Sequence, residues 1–198
     1  MTCAIVLAAG RSQRMGTRKL LLPFAGSTVI ARVVDAYLGA AVDEVVVIVR
    51  PNDGQLVEAL SGRPAKFVEN PDAAGDMLSS LRCGLRALPS KVETVVVSPA
   101  DQPSLKPGLM RQMLRDYQTG EAGILVPVHN GQRGHPLIFS ARYREELMSS
   151  YDGIGLRGLL QTYAAEVTEW STEDAAVLED LDTPADYKRS LRTQNADR

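Results

Sequence analysis

Short runs of β-branched and apolar residues, at positions 4–7, 44–49, 65–68, 94–98 and 123–126, alternate with stretches whose apolar positions recur at helical spacing. Uninterrupted apolar runs are typical of strands buried on both faces. Their alternation with helices predicts an α/β protein with a mostly parallel, doubly wound central sheet covered on both sides. Residues 28–38 carry Val29, Ile30, Val33, Val34, Tyr37 and Leu38 on one helical stripe, with Ser27 or Thr28 as the N-cap. A second helix is predicted over residues 75–88, stopping before Pro89. Beyond Val126 the pattern loses its regularity. Gly131, Gly134, Pro136, Gly153, Gly155 and Gly158 break up short apolar pieces such as Leu137-Ile138-Phe139, and this stretch is expected to build one wall of a ligand site. Ligands of doubly wound sheets bind at the carboxyl ends of the strands. Three polar motifs follow directly after predicted strands, so they can converge in one crevice.

A chain of 198 residues suits one domain with a sizeable core. Residues 1–192 are read as that domain and 193–198 as a polar C-terminal tail. A formal net charge of -2 argues against a protein that coats nucleic acid and leaves small molecules or proteins as partners. No apolar run approaches the roughly 18 residues a membrane helix requires. The chain also starts on a strand rather than on a secretory leader, so a cytoplasmic protein that engages no membrane is expected. Cys3 and Cys83 belong to no CxxC pair, which disfavours a disulfide framework or a zinc site and predicts two buried thiols.

The first strand runs into Leu7-Ala8-Ala9-Gly10-Arg11-Ser12-Gln13-Arg14-Met15-Gly16-Thr17-Arg18-Lys19. Gly10 and Gly16 allow sharp turns and close approach of backbone N–H groups to an anion, while Arg11, Arg14, Arg18 and Lys19 add positive charge. A nucleoside triphosphate is the natural ligand. Two familiar phosphate loops do not fit: a P-loop needs four residues between its glycines and then Lys with Ser or Thr, and a dinucleotide fingerprint needs a glycine where Ser12 stands. Asp101, just past the 94–98 strand in Ala100-Asp101-Gln102-Pro103, could hold Mg2+, which takes one or two carboxylates together with substrate phosphates and water. The plainer reading of that segment is an Asx turn. The acidic stretch 180–186 is equally good helix-start chemistry, and His135 alone more often satisfies a local hydrogen bond than catalyses.

Taken in order, L-A-A-G-R-x-x-R-M-G-x-x-K-L-L, then Asn70-Pro71 with Ser79-Ser80-Leu81-Arg82, then Ala100-Asp101-Gln102-Pro103, then Arg133-Gly134-His135-Pro136, then Asp180-Leu181-Asp182-Thr183-Pro184, these motifs resemble those of the MobA-like nucleotidyltransferases, and within them the molybdenum cofactor cytidylyltransferases. The resemblance implies a three-layer Rossmann-like nucleotidyltransferase fold. It implies a nucleotide site on Leu7, Ala8, Ala9, Gly10, Arg11, Met15, Gly16 and Lys19, with Asn70, Ser79 and Ser80 at base and ribose. Lys19, Arg11 and Asp101 would be catalytic, Asp101 and Asp182 would hold Mg2+, and Arg133, His135 and Arg157 would face a phosphorylated acceptor. The implied reaction transfers CMP from CTP to the terminal phosphate of molybdenum-bearing molybdopterin, releasing pyrophosphate, with a molybdenum hydroxylase as the receiving partner. Ala9, where GTP-using relatives carry glycine, favours cytidine. Two departures stand out: Asp76-Met77-Leu78 replaces a Gly-Met-Ser order, and Gly153 stands where an aspartate is expected. They keep open the same chemistry on another acceptor or with GTP, and a non-catalytic cofactor carrier is the alternative from a different class.

Overall fold

The computed structural model describes residues 1–10, 15–72 and 76–196. Its centre is an eight-stranded sheet. β1 (Thr2–Leu7) lies between β4 (Glu44–Val49) and β6 (Thr94–Pro99), parallel to both, and β5 (Ala65–Glu69) extends the sheet beyond β4, also parallel. On the other side β6 is followed by β9 (Leu137–Ser140), β7 (Ile124–His129) and β10 (Val167–Ser171), with β8 (Gln132–Arg133) paired on β7. A separate two-stranded ribbon, β2 (Pro23–Phe24) with β3 (Ser27–Thr28), precedes the first helix.

Residue alternation along the central strands creates the three layers. On β1, Ala4 and Val6 join one core with α1 (Val29–Leu38) and α4 (Pro107–Thr119), whereas Cys3 and Ile5 join a second with α3 (Met77–Ala87), α5 (Arg144–Ser149) and α6 (Leu156–Thr162). β4 divides in the same way, Val45, Val47 and Val49 against Val46 and Ile48. α3 lies so close to the sheet that a Cβ at Gly84 would stand 2.7 Å from Ile5 Cγ2.

All five predicted strands are present, and so are both predicted helices. Thr28 rather than Ser27 caps α1, its hydroxyl accepting from Ala31 N. α3 starts at Met77, because Asp76 caps it by accepting from Ser79 N; Gly75, where that helix was expected to begin, lies outside the described residues. The main departure is β9. Leu137-Ile138-Phe139 reads as a fragment of an irregular region, yet it forms a central strand antiparallel to both β6 and β7. Its side chains alternate between the two cores, which makes a four-residue strand viable but too short to declare itself by periodicity. Cys3 and Cys83 are free and buried, as expected. The last helix, α7 (Pro184–Ala196), runs into the stretch read as a polar tail. Among the described residues no helix is long and apolar enough to cross a membrane.

Candidate active site

The carboxyl ends of β1, β4 and β6 lie side by side, Leu7 pairing with both Ile48 and Pro99. Ala8 extends the ladder by one bond, donating its N–H to Ile48 O at 2.8 Å, so the glycine loop leaves the sheet from a fixed point. Gly16 has φ +63°, a left-handed conformation that a side chain would strain. Met15 on one side and Leu20 on the other are buried and anchor the returning segment. That anchoring delivers Lys19 to the end of β6. Its Nζ lies 2.5 Å from Asp101 Oδ2 and 3.4 Å from Asp182 Oδ1.

Asp182 reaches this point because the C-terminal segment is pinned back on the turn after β6. Leu181 N donates to Asp101 O at 3.1 Å. Gln102, with no exposed surface, donates from Nε2 to Asp180 Oδ1 at 2.9 Å and to Val177 O at 3.3 Å. Gln102 and Asp180 are site residues that motif reading missed; both lie inside the motifs, and only the fold shows that they meet. Asp180 is exposed as a whole, but its carboxyl is turned inward onto Gln102. Desolvation, with the nearby charges of Asp101 and Asp182, pushes it up to about 6, against the Gln102 hydrogen bond and the Lys19 charge.

The donor set suits a divalent cation. Asp101 Oδ1 is buried with no hydrogen-bond partner, and Asp182 stands across Lys19 from it. Among the described residues no group of three or more His, Cys, Asp or Glu is placed to hold a metal. Two carboxylates are nevertheless enough for Mg2+, which completes its shell with phosphate oxygens and water.

The second half of the site is a cavity of about 710 Å³, within the ordinary range for small-molecule sites. It brings together Arg133, His135 and Arg157, along with the exposed apolar side chains of Met77 and Ile154. His135 joins the two halves. It lines the cavity, its backbone N–H is held by Val177 O at 2.8 Å, and its ring senses Asp101. Desolvation holds its imidazolium below the ordinary value, Asp101 acting in the opposite sense, so the ring is neutral at pH 7. Gly134 is required beside it, because a Cβ there would stand 2.2 Å from Val177 O. Arg133 is exposed and pairs with Glu169 Oε1 at 2.8 Å.

Three expected ligand residues have protein partners in this structure. Arg18 is paired with Asp53, which also caps α2 (Gly54–Ala59) by accepting from Leu56 N. Together with Arg50 they edge a smaller cavity of about 290 Å³ beside Gly10 and Gly16. Asn70, only 3% exposed, donates to Ser79 Oγ at 2.9 Å and Ser80 Oγ at 3.0 Å and accepts from Asp72 N, so Asn70 and Ser80 shape the loop before α3. Ser79 remains half-buried beside them. Arg11 and Arg14 lie outside the described residues. His129 ends β7 with Nδ1 2.9 Å from Thr172 O.

Residues 4–167 match the family model described as MobA-like NTP transferase domain. The molybdenum cofactor cytidylyltransferase of Escherichia coli K12 is 25% identical, covering 92% of each chain. A 2-C-methyl-D-erythritol 4-phosphate cytidylyltransferase of Prochlorococcus marinus is 29% identical over 91% of this chain and 85% of its own. Among solved structures, Rv0371c of Mycobacterium tuberculosis H37Rv in complex with manganese superposes with a TM-score of 0.79 at 27% identity, covering 97% of this chain and 98% of that one.

Proposed function

Because the chain belongs to the MobA-like NTP transferase family, we propose that it transfers CMP from CTP to the phosphate of a small-molecule acceptor in the cytoplasm, releasing pyrophosphate. The observation that carries this reading is the meeting of Lys19, Asp101 and Asp182 at the strand ends, next to a cavity lined by Arg133, His135 and Arg157. Ala9 and the two cytidylyltransferase relatives support CTP as donor. Molybdenum-bearing molybdopterin is the first acceptor to consider, supported by the similarity to the Escherichia coli protein along the whole chain, with a molybdenum hydroxylase receiving the product. A second reading keeps the chemistry and changes the acceptor to a polyol phosphate. The similarity to the Prochlorococcus marinus protein supports it, and Gly153, which lacks the expected carboxylate in the turn before Arg157, is compatible with it.

The reaction is in-line attack of an acceptor phosphate oxygen on the α-phosphorus. One P–O bond forms, the bond to the β-phosphate oxygen breaks, and pyrophosphate leaves with that electron pair. The nucleophile is already ionised at neutral pH, so no strong general base is needed, and positioning with charge neutralisation supplies the rate. Lys19 would exchange its carboxylate partners for phosphate oxygens as the triphosphate enters. Asp101 and Asp182 would hold Mg2+, which when bound neutralises charge on the phosphates. His135, neutral and fixed through its backbone, would hydrogen-bond the acceptor phosphate, with Arg133 and Arg157 balancing its charge.

The test is magnesium-dependent pyrophosphate release, with CTP, GTP and ATP each paired with molybdenum-loaded molybdopterin and with 2-C-methyl-D-erythritol 4-phosphate. Release with CTP and molybdopterin supports the first reading, and release only with the polyol phosphate supports the second. No release with any pair contradicts both and leaves CTP binding without turnover, as a carrier would show.

A further inference from the structure

We propose that Arg82 is a positioning residue for the acceptor: it ties α3, whose first turn forms one wall of the 710 Å³ cavity, to the turn that carries the opposite wall. The inference rests on the reading of that cavity as the acceptor site. Asp76, Met77 and Leu78 at the start of α3 line one side, and Gly153 to Arg157 with Leu160 and Gln161 line the other. The two walls are far apart in sequence and sit on the same face of the sheet, α3 packing on β1, β4 and α5 while the second wall follows α5.

Arg82 joins the two walls with all three guanidinium nitrogens. Nε donates to Leu147 O at 2.9 Å, one terminal nitrogen to Ser150 O at 2.8 Å, and the other to Asp152 Oδ1 at 2.6 Å. Leu147 and Ser150 stand at the end of α5, where backbone carbonyls have no partner within the helix, so a planar cation is well suited to them. Asp152 directly precedes Gly153-Ile154-Gly155, the turn into α6 and Arg157. That turn is braced from behind as well. Tyr151, at φ +73°, lays its ring where a Cβ on Gly158 would be 2.2 Å away, and its hydroxyl donates to Glu146, which also accepts from Tyr163. Arg82 is 17% exposed and its charge is answered by Asp152, so it acts through the turn rather than on the phosphate.

An ammonium cannot reproduce a planar three-point fork, so Arg82→Lys is the informative variant. In steady-state pyrophosphate release, Arg82→Lys should raise the acceptor KM about tenfold, a sub-ångström loosening of the pocket, while the CTP KM stays within about twofold. Asp152→Asn, which weakens one of the three contacts, should produce a smaller rise of the same kind. Amide hydrogen exchange on the full chain should quicken in residues 151–160 and remain unchanged in 4–10 and 94–101. Equal rises in both KM values would mean a merely structural residue and overturn the proposal, as would unchanged exchange in 151–160. An inactive wild-type protein would overturn the transferase reading, and the exchange measurement would still decide whether Arg82 holds the turn.

Discussion

The two halves of the site are held by different kinds of bond. On the donor side the strand ends of β1, β4 and β6 are fixed by parallel backbone ladders, and the loops leave from the last rungs. The acceptor side has only part of that support. Its wall from α5 to α6 is held by side chains, Arg82 reaching residues 147–152 and Glu146 reaching Tyr151 and Tyr163, while His135 hangs on a single backbone bond to Val177 O. A sheet-built site therefore loses chemistry when a side chain is removed but keeps its shape. A side-chain-built site loses its shape.

Asp101→Ala should give the largest loss on the donor side. Pyrophosphate release should fall by about three orders of magnitude, as expected for a group that neutralises transition-state charge, while the thermal unfolding midpoint moves little. A comparable fall in Tm would break the contrast. On the acceptor side, Gly158→Ala should do the reverse and cost roughly 1–3 kcal/mol of stability through the clash with the Tyr151 ring, with acceptor KM rising and CTP affinity kept. Urea unfolding together with CTP titration checks both parts. Asn70→Ala tests a side-chain latch on the donor side. It should lose about 1–2 kcal/mol because Ser79, Ser80 and the Asp72 N–H lose their bonds to Asn70, and should raise the CTP KM. Ala9→Gly should have the smallest effect, narrowing the CTP-over-GTP preference by about tenfold, since one methyl group discriminates only weakly. Competition between the two nucleotides in one reaction reads that ratio directly.

The same contrast explains how much could be read before the fold was known. Each donor-side strand runs straight into its motif, so Lys19 and Asp101 were legible from local order, and their meeting followed from the carboxyl-end rule. Asp182 was legible by its motif, but not the means of its return, which depends on Gln102 hidden between an aspartate and a proline. Arg18 reads as a phosphate ligand from its place in a basic run, and the sequence does not show its ion pair with Asp53. Its engagement by Asp53 depends on a capping turn whose geometry no charge count reveals. β9 was too short to register. Arg82 stood in a recognised motif, yet its partners lie 65 to 70 positions further along, and nothing in local spacing points to them.

In the proposed reaction the Lys19, Asp101 and Asp182 centre moves a cytidylyl group into the cavity of Arg133, His135 and Arg157. CTP labelled at the α-phosphorus tests it most directly, incubated with Mg2+ and molybdenum-loaded molybdopterin or a polyol phosphate. The label should appear in an acceptor–CMP product in step with pyrophosphate, and Asp101→Ala should form none. Label that stays in CTP, or that emerges as free CMP whether or not an acceptor is present, would contradict it.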